Sequence, residues 1–364
     1  MYERAMNGAA GPMPDRLSPR HLRRRLLELA VILVAVVLLV LVGPGLGRLR
    51  SHIAHASPAF LVAGVALEAL SALSYVVVFR AVFCPRMTWR LSYQIAMAEQ
   101  AANSVLSVSG AGGLALGAWA LHRGGMSTQH IARRTVAFFF LTSMANVAGV
   151  ILVAALYAVG LFQHDRDPVL TYGFGLAALA ATVIVLALPV LLTGKTPHAP
   201  KPESGRIASA LNFIRSSLGQ GVHDALLLLR RRPVPVLVGS FGLVGFDIAV
   251  LAVSFRALGY SPAFGILVLG YLIGQLGGNI PLPAGIGGID GGLIATFALY
   301  HQPIAVTTAA VLIYHAIALW IPALPGSLAF VQLRRTLARA PRPEVICTPL
   351  AEADETTPVP ALAG

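Results

Sequence analysis

Hydrophobic residues occur along this chain in long runs, separated by short segments that collect the arginines and prolines. The uninterrupted runs are 26–43, 59–83, 135–162, 169–193, 234–256 and 303–331. A helix of about 20 apolar residues is long enough to cross the roughly 30 Å hydrocarbon core of a bilayer. The pattern therefore predicts an all-α polytopic membrane protein with about six full spans.

Two further apolar segments, 92–122 and 262–301, are interrupted by glycine, serine, asparagine or proline. The first contains "EQAANSVLSVSGAGGLALG" (99–117) and the second "QLGGNIPLPAGIGGIDGG" (275–292). An irregular backbone at membrane depth needs protein or a water-filled cavity to satisfy its polar groups. The two segments are therefore predicted to be re-entrant helical hairpins rather than plain spans.

The positions of the arginines orient the chain, because cytoplasmic loops of membrane proteins are enriched in Arg and Lys. Arginines near the N-terminus, in the linker up to residue 232 and after residue 331 place these three points, and both termini, in the cytoplasm. Three apolar segments lie between residues 84 and 194, so one of them must turn back. This count makes 92–122 a hairpin that enters from the cytoplasm, and the same count makes 262–301 one that enters from outside.

Three polar or amphipathic regions complete the predicted organisation. Residues 1–20 and 340–364 are rich in polar residues, Pro and Gly and are expected to be disordered, on either side of a membrane domain at 21–335. Residues 205–232 place apolar side chains at helical spacing between arginines at both ends. This pattern is typical of an amphipathic cytoplasmic helix that lies on the membrane surface.

Composition agrees with a membrane protein, since 56% of the residues are hydrophobic and only 12% are charged. The net charge of +12 comes from arginines between apolar segments, so it favours anionic lipid head groups over nucleic acid as partners. Cys84 and Cys347 are far apart in the sequence and lack metal-ligand spacing. Both are expected in the reducing cytoplasm, where a disulfide is not expected.

The chain contains an internal repeat with a register of 176 residues before the glycine-rich turns and 175 after them. The matched positions are Phe79–Ala81 with Phe255–Ala257, Glu99 with Gln275, Asn103 with Asn279, and Gly110, Gly112 and Gly113 with Gly285, Gly287 and Gly288. We expect repeat one at 59–162 and repeat two at 234–331. Because the predicted hairpins enter from opposite sides, this is an inverted-topology repeat, an architecture typical of carriers.

The candidate binding site lies at the two breaks, where half-helices begin near Gly112 and Gly287 inside the membrane. Their first N–H groups lack helical partners and their dipole ends are positive, so a phosphate is a suitable ligand. The alternative is that these glycines only permit close helix packing. The predicted binding residues are Glu99, Asn103, Ser109, Gly110, Gly112, Gly113, Gln275, Asn279, Pro281, Pro283, Gly285, Gly287, Gly288 and Asp290.

Several polar residues in the repeats have two interpretations. Asn103 and Asn279 either line a cavity or hydrogen-bond the broken backbone. Glu99, as an ionisable group in a membrane segment, is a functional candidate by default, and its alternative role is an ion pair with Arg123 or Arg134.

Glu68 and Asp247 lie within the first helix of each repeat and do not match in register. They either couple proton movement or pair with Arg80 and Arg256. Asp290 is placed to cap the second half-helix, and the lone His315 within a span is expected to be a satisfied core residue.

Enzymatic chemistry is not expected. No Ser-His-Asp or Cys-His set can be assembled, and no group of His, Cys and carboxylates has metal-ligand spacing. We therefore expect neither catalytic residues nor a metal or cofactor.

Three stretches resemble a known family: "NSVLSVSGAGGLALGAWALHRGGMS" (103–127), "GQLGGNIPLPAGIGGIDGGLIATFALY" (274–300) and "WIPALPG" (320–326). They are similar to the flippase-like membrane region of lysylphosphatidylglycerol synthases and to its stand-alone YbhN-like relatives, over residues 20–335. The resemblance implies an eight-segment helical fold in a bacterial or archaeal plasma membrane. It also implies translocation or handling of a polar lipid. The short segment after the last span implies that the soluble synthase activity is absent.

The expected function is thus transfer of a polar lipid, with a phosphate-bearing head group, between leaflets. An intramembrane enzyme acting on a lipid-linked substrate, a non-transporting partner of another membrane protein, and an ion-coupled carrier of a small anion are the alternatives.

Overall fold

A computed structural model of the chain describes residues 47–105, 111–159, 206–276 and 288–339, with isolated positions 27, 31, 176, 180 and 183. All regular structure in these residues is helical, which confirms the all-α prediction. The helices are α1 Gly47–Ala54, α2 Pro58–Phe83, α3 Trp89–Val105, α4 Ala111–Arg123, α5 Thr128–Ala158, α6 Arg206–Arg231, α7 Pro233–Ala257, α8 Phe264–Leu276, α9 Gly288–Leu299 and α10 Ile304–Arg339.

Four of the described helices are long and apolar enough to cross a membrane. These segments are Pro58–Phe83, Thr128–Val153, Pro233–Ala257 and Ile304–Ala338. Large apolar side chains on their outer faces are exposed, for example Val62 and Val238, as expected for surfaces that meet lipid. The predicted spans 26–43 and 169–193 fall outside the described residues apart from the isolated positions, as do the predicted disordered ends 1–20 and 340–364.

Each interrupted apolar segment contributes two short helices, α3 with α4 and α8 with α9. In the second pair, Gly270 lies against Phe297 and Gly274 against Leu293, so the two helices run antiparallel. A helix as short as α8, with 13 residues, is about 20 Å long at 1.5 Å per residue, which is less than the hydrocarbon thickness. The connecting residues 106–110 and 277–287 lie outside the described part of the chain.

Helices α2 and α7, the first helices of the two predicted repeats, form the most extensive helix–helix contact among the described elements. Gly64 lies against Val253, the Ser71 hydroxyl donates to the Leu243 carbonyl at 3.1 Å, and Gly239 lies against the backbone of Val78. Along this contact the residue numbers of α7 decrease as those of α2 increase, so the two helices run antiparallel. Glycine and serine let the two backbones approach closely, as small residues do between membrane helices.

The helix that follows each hairpin packs against the other half. Helix α10 contacts α3, where Gly326 lies directly against the Met97 carbonyl and the Ala101 methyl group. Helix α5 contacts α8 more loosely, with Gly149 near only the Leu272 side chain. Two buried apolar cores result, one around α2, α3 and the start of α5, the other around α7, α8 and the middle of α10.

The amphipathic helix predicted at 205–232 is observed as α6, and its apolar face packs on the first half of α5. The Arg133 guanidinium donates to Asp224 at 2.8 Å across this interface. Arg134, with only 2% of its side chain exposed, lies 4.0 Å from the other Asp224 oxygen. The ion pair and the apolar contacts hold α6 against the membrane domain.

Two features differ from the sequence expectations. The segment after the first predicted span contains the short helix α1, which contacts α10 and was not predicted. Cys84, buried at the end of α2, is disulfide-bonded, so the expectation that it would not form a disulfide is wrong.

Candidate functional site

The first hairpin is closed by a hydrogen bond from backbone to side chain. The Gly113 N–H, in the first turn of α4, donates to Asn103 Oδ1 on α3 at 2.8 Å. A Cβ atom at position 113 would collide with this same amide group and with the Glu99 carbonyl. Of the two interpretations of Asn103, the geometry shows the hydrogen bond to the broken backbone. It also explains why Gly113 must be glycine.

Glu99 is buried in the same hairpin, with 4% of its surface exposed. The Tyr75 hydroxyl on α2 donates to Glu99 Oε2 at 3.0 Å. The other carboxylate oxygen lies over Gly117 of α4, where any Cβ atom would overlap it. The predicted alternative partners are engaged elsewhere: Arg123 lies over the Trp119 ring and Arg134 lies beside Asp224.

The second half contains a related arrangement around Asp247 of α7. Its Oδ2 atom accepts hydrogen bonds from the Tyr271 hydroxyl on α8 and, at 3.1 Å, from the Tyr314 hydroxyl on α10. Gln275, one helical turn after Tyr271, hydrogen-bonds that tyrosine. Asp247 thus joins α7 to α8 and to α10.

The two halves place a carboxylate and a tyrosine at the same sequence separation, with the two roles exchanged. Tyr75 and Glu99 are 24 residues apart, and so are Asp247 and Tyr271. In the first half the carboxylate is on the hairpin, whereas in the second half it is on the long helix. Sequence comparison missed this relation because it matched Glu99 to Gln275, and the acid–tyrosine pairs are equivalent only after a shift of one helical turn.

Glu68 and Asp247 face each other where α2 and α7 cross. Glu68 is 5% exposed, and it lies close enough to Asp247 for the two charges to interact. In the described residues, Glu68 Oε2 and Asp247 Oδ1 have no hydrogen-bond partner. Of the two roles considered for Glu68, the pairing with Arg80 is not observed, since Arg80 donates to the Met87 carbonyl at 2.7 Å and stacks on Trp89.

Asp290, in the first turn of α9, makes a hydrogen-bond contact with His315 of α10, with Nδ1 and Oδ1 2.8 Å apart. His315 was expected to be a satisfied core residue, but only its Nδ1 atom has a partner, which was not predicted, and Nε2 is buried without a hydrogen-bond partner in the described residues. The available signal was weak: each residue is the single ionisable group in an otherwise apolar stretch, on two helices that follow one another.

The other predicted site residues cannot be placed together. Gly112 lies in the first turn of α4 beside Gly113, and Gly288 is buried at the start of α9. The remaining ones lie outside the described part of the chain: Ser109, Gly110, Asn279, Pro281, Pro283, Gly285 and Gly287. The approach of the two glycine-rich turns to each other therefore stays a prediction. Within the described ranges, no group of three His, Cys, Asp or Glu residues has a geometry suited to a metal ion.

A lateral groove of about 740 Å³ lies between α5, α7 and α8. Its walls are mainly apolar, with Gly149, Leu152 and Phe264 among them, and Arg256 and Ser261 contribute polar groups. The groove lies beside the loose contact between α5 and α8.

Long apolar helices, buried carboxylates at the contacts between them and an apolar lateral groove define an integral membrane protein with several spans. A family model described as the lysylphosphatidylglycerol synthase TM region matches residues 25–326. The chain belongs to this family, which confirms the resemblance seen in the sequence. No curated protein matches the chain.

Proposed function

We propose that this protein is a carrier that moves a polar lipid, with a phosphate-bearing head group, between the leaflets of the plasma membrane. It would do so without chemically changing the lipid. The observation on which the proposal depends is the antiparallel contact of α2 and α7, which the sequence register predicts to be the equivalent first helices of two repeats. Antiparallel equivalent helices are what an inverted-topology repeat requires, and such repeats underlie many alternating-access carriers.

The short antiparallel helix pairs support the same proposal. Each half has one pair that is too short for two full crossings, and each pair is tied to a long helix through a carboxylate and a tyrosine. We infer that both pairs are re-entrant and enter from opposite sides. Their glycine-rich turns, with the positive ends of α4 and α9, would then hold the head group near the midplane. The acyl chains would remain in the bilayer, with the lateral groove as their route.

The distribution of carboxylates favours a carrier over an intramembrane enzyme. Glu99 is bonded to Tyr75 and Asp290 to His315, in different helix contacts. Among the carboxylates in the described helices, Glu68 and Asp247 are the two that lie together. An enzyme acting on a lipid-linked substrate would need its ionisable groups around one cavity.

Reconstitution into liposomes tests the proposal. Purified protein is placed in vesicles that contain a trace of fluorescent phospholipid, and an impermeant reductant then measures the fraction of label that reaches the outer leaflet. We expect at least one anionic or zwitterionic phospholipid to cross several-fold faster than in protein-free vesicles. Mass spectrometry of the recovered lipid should show no change in mass.

Two variants sharpen this experiment. Glu99→Gln keeps the side-chain volume and removes the charge beside the first hairpin, so lipid movement should slow several-fold. Thr308→Ala is the matched control, because that hydroxyl bonds only to the Ile304 carbonyl of its own helix. Movement equal to that of empty vesicles for every lipid tested would overturn the proposal.

A further inference from the structure

The contact between α2 and α7 contains a buried pair of carboxylates without a compensating cation. Above and below the pair, Ser71 bonds the Leu243 carbonyl and Gly64 lies against Val253, so Glu68 and Asp247 are opposite one another in the antiparallel register. They belong to different repeats. The pair therefore lies at the crossing point of the two halves of the molecule.

In the described residues, hydrogen-bond donors reach only one oxygen atom of this carboxylate pair, Asp247 Oδ2. Tyr271 and Tyr314 both donate to Asp247 Oδ2. Asp247 Oδ1 and Glu68 Oε2 are buried and have no hydrogen-bond partner in the described residues. Glu68, with 5% of its surface exposed, is thus an unpartnered acidic side chain directed at the Asp247 cluster from the other repeat.

No positive side chain in the described part of the molecule offsets these charges. The titratable groups that act on the pair are Glu68 on α2, Asp247 on α7, Tyr271 on α8 and Tyr314 on α10, and the described parts of α3 and α5 add none. Two ionised carboxylates in a low-dielectric contact repel each other and lose their hydration, so the arrangement requires a cation between them.

We propose that Glu68 and Asp247 form a binding site for one monovalent cation, a proton or Na⁺, and that its occupancy couples to the movement of the two halves. Two carboxylates with tyrosine oxygens nearby suit a single positive charge. Divalent ions usually take more carboxylate or carbonyl ligands. A bound cation removes the repulsion across α2 and α7, and its release restores that repulsion and favours separation of the helices. The coupling part of the proposal rests on the proposed carrier function.

Cation binding is measured first, without any transport. Thermal unfolding of the purified full chain in detergent is followed in NaCl, KCl and choline chloride at equal ionic strength, each between pH 5 and pH 8. A Na⁺ site predicts a midpoint higher by several degrees in NaCl than in choline chloride at pH 8. A proton site predicts no difference between salts and a rise of similar size as the pH falls, because the proton neutralises the pair.

Variants identify the site. Glu68→Gln and Asp247→Asn each remove one charge and the repulsion, so each should lose most of the cation response and be more stable than the unsubstituted protein at pH 8 without Na⁺. Thr308→Ala is the matched control, since this hydroxyl does not titrate, bonds the Ile304 carbonyl of its own helix, and should leave the cation response unchanged. Should a variant fold poorly, infrared difference spectroscopy on the unsubstituted protein reports the protonated carboxyl band, or its loss when Na⁺ is added.

The outcomes separate the site from the function. The absence of any response to pH or Na⁺ in the unsubstituted protein, or its persistence in both variants, would overturn the site. A lipid flux that responds to an imposed proton or Na⁺ gradient, and loses this response in Asp247→Asn, supports coupling. A cation response without lipid flux under any gradient supports the site and contradicts the carrier function. Flux that ignores both gradients contradicts coupling alone.

Discussion

Gly117 lies where the Glu99 carboxylate reaches from α3 onto the surface of α4, and this contact explains one glycine of the first hairpin. The carboxylate occupies the space that a side chain at position 117 would need. Gly292 matches Gly117 at the repeat register of 175 residues, and its contact in the second hairpin is made by backbone, since Gly292 lies against Gly274. The same glycine position therefore serves an acidic contact in one half and close helix packing in the other.

Substitution of Gly117 tests this at the scale of one residue. Gly117→Ala should displace Glu99 from Tyr75 and lower the free energy of unfolding by about 1–3 kcal/mol, because the added methyl overpacks a filled contact. Gly291→Ala is the matched control on α9, where nothing lies within 4 Å of the added atom. The control should be neutral or more stable, since alanine is the better helix former. Equal midpoints for the two variants in thermal unfolding would contradict the contact.

At the residue scale, the sequence was more successful at identifying the residues that make buried polar contacts than at identifying their partners in those contacts. The hydrogen bond between Asn103 and the broken backbone was one of the two interpretations considered. An amide side chain just before a helix start has few roles other than this one and lining a cavity. The residues that lie next to Glu68, Glu99 and Asp290 are on other helices, at least 24 residues away. Neither spacing nor the repeat register contains such contacts, so the arginine pairings proposed from the sequence were not found.

At the scale of helices, a charged contact holds α6 on α5. Asp224 is the acidic member, and its side chain is only 7% exposed beside Arg133 and the buried Arg134. Removal of one member of a buried pair leaves the other charges uncompensated, which commonly costs about 3–5 kcal/mol. The attachment of the amphipathic helix should therefore depend strongly on this carboxylate.

Hydrogen–deuterium exchange measures this attachment. In Asp224→Ala, amides of α6 should exchange at least tenfold faster, while those of α2 and α7 should change little. His223→Ala, at the neighbouring exposed position, is the control and should exchange like the unsubstituted protein. If α6 keeps its protection in Asp224→Ala, apolar packing alone holds this helix.

The hydrophobic pattern predicted the positions of the helices correctly where that pattern was strong. The amphipathic segment predicted at 205–232 is α6 at Arg206–Arg231. Helix α5 begins at Thr128 rather than 135, and α10 continues to Arg339 rather than 331. In both cases the extension carries arginines, so a search for apolar runs ends too early although the helix continues. Helix α1 is short and has arginines at Arg48 and Arg50, and nothing in its sequence separates it from a loop.

At the scale of the whole molecule, the proposed opposite orientation of the halves is open to labelling. Single cysteines are introduced, in a background without Cys84 and Cys347, at the exposed residues that flank the two hairpins. These positions are Arg90, Gln129, Ser261 and His301. An impermeant thiol reagent applied to intact cells should modify Ser261→Cys and His301→Cys.

The other pair, which is predicted to face the cytoplasm, provides the internal control. Arg90→Cys and Gln129→Cys should react only after the cells are permeabilised. Reaction of one flank of a hairpin from each side would show that the hairpin crosses the membrane completely. Reaction of all four positions from the same side would exclude the inverted repeat.

The unequal packing of α10 on α3 and of α5 on α8 has a consequence for which conformation the protein adopts. Gly326 brings α10 into backbone contact with α3, while Gly149 leaves α5 beside an open groove. If the two halves can exchange conformations, the protein has a second conformation in which α5 packs closely on α8 and a groove opens between α10 and α3. A bulky side chain at position 326 would then separate α10 from α3 and favour this second conformation. A bulky side chain at position 149 would prevent α5 from closing on α8 and favour the conformation described here.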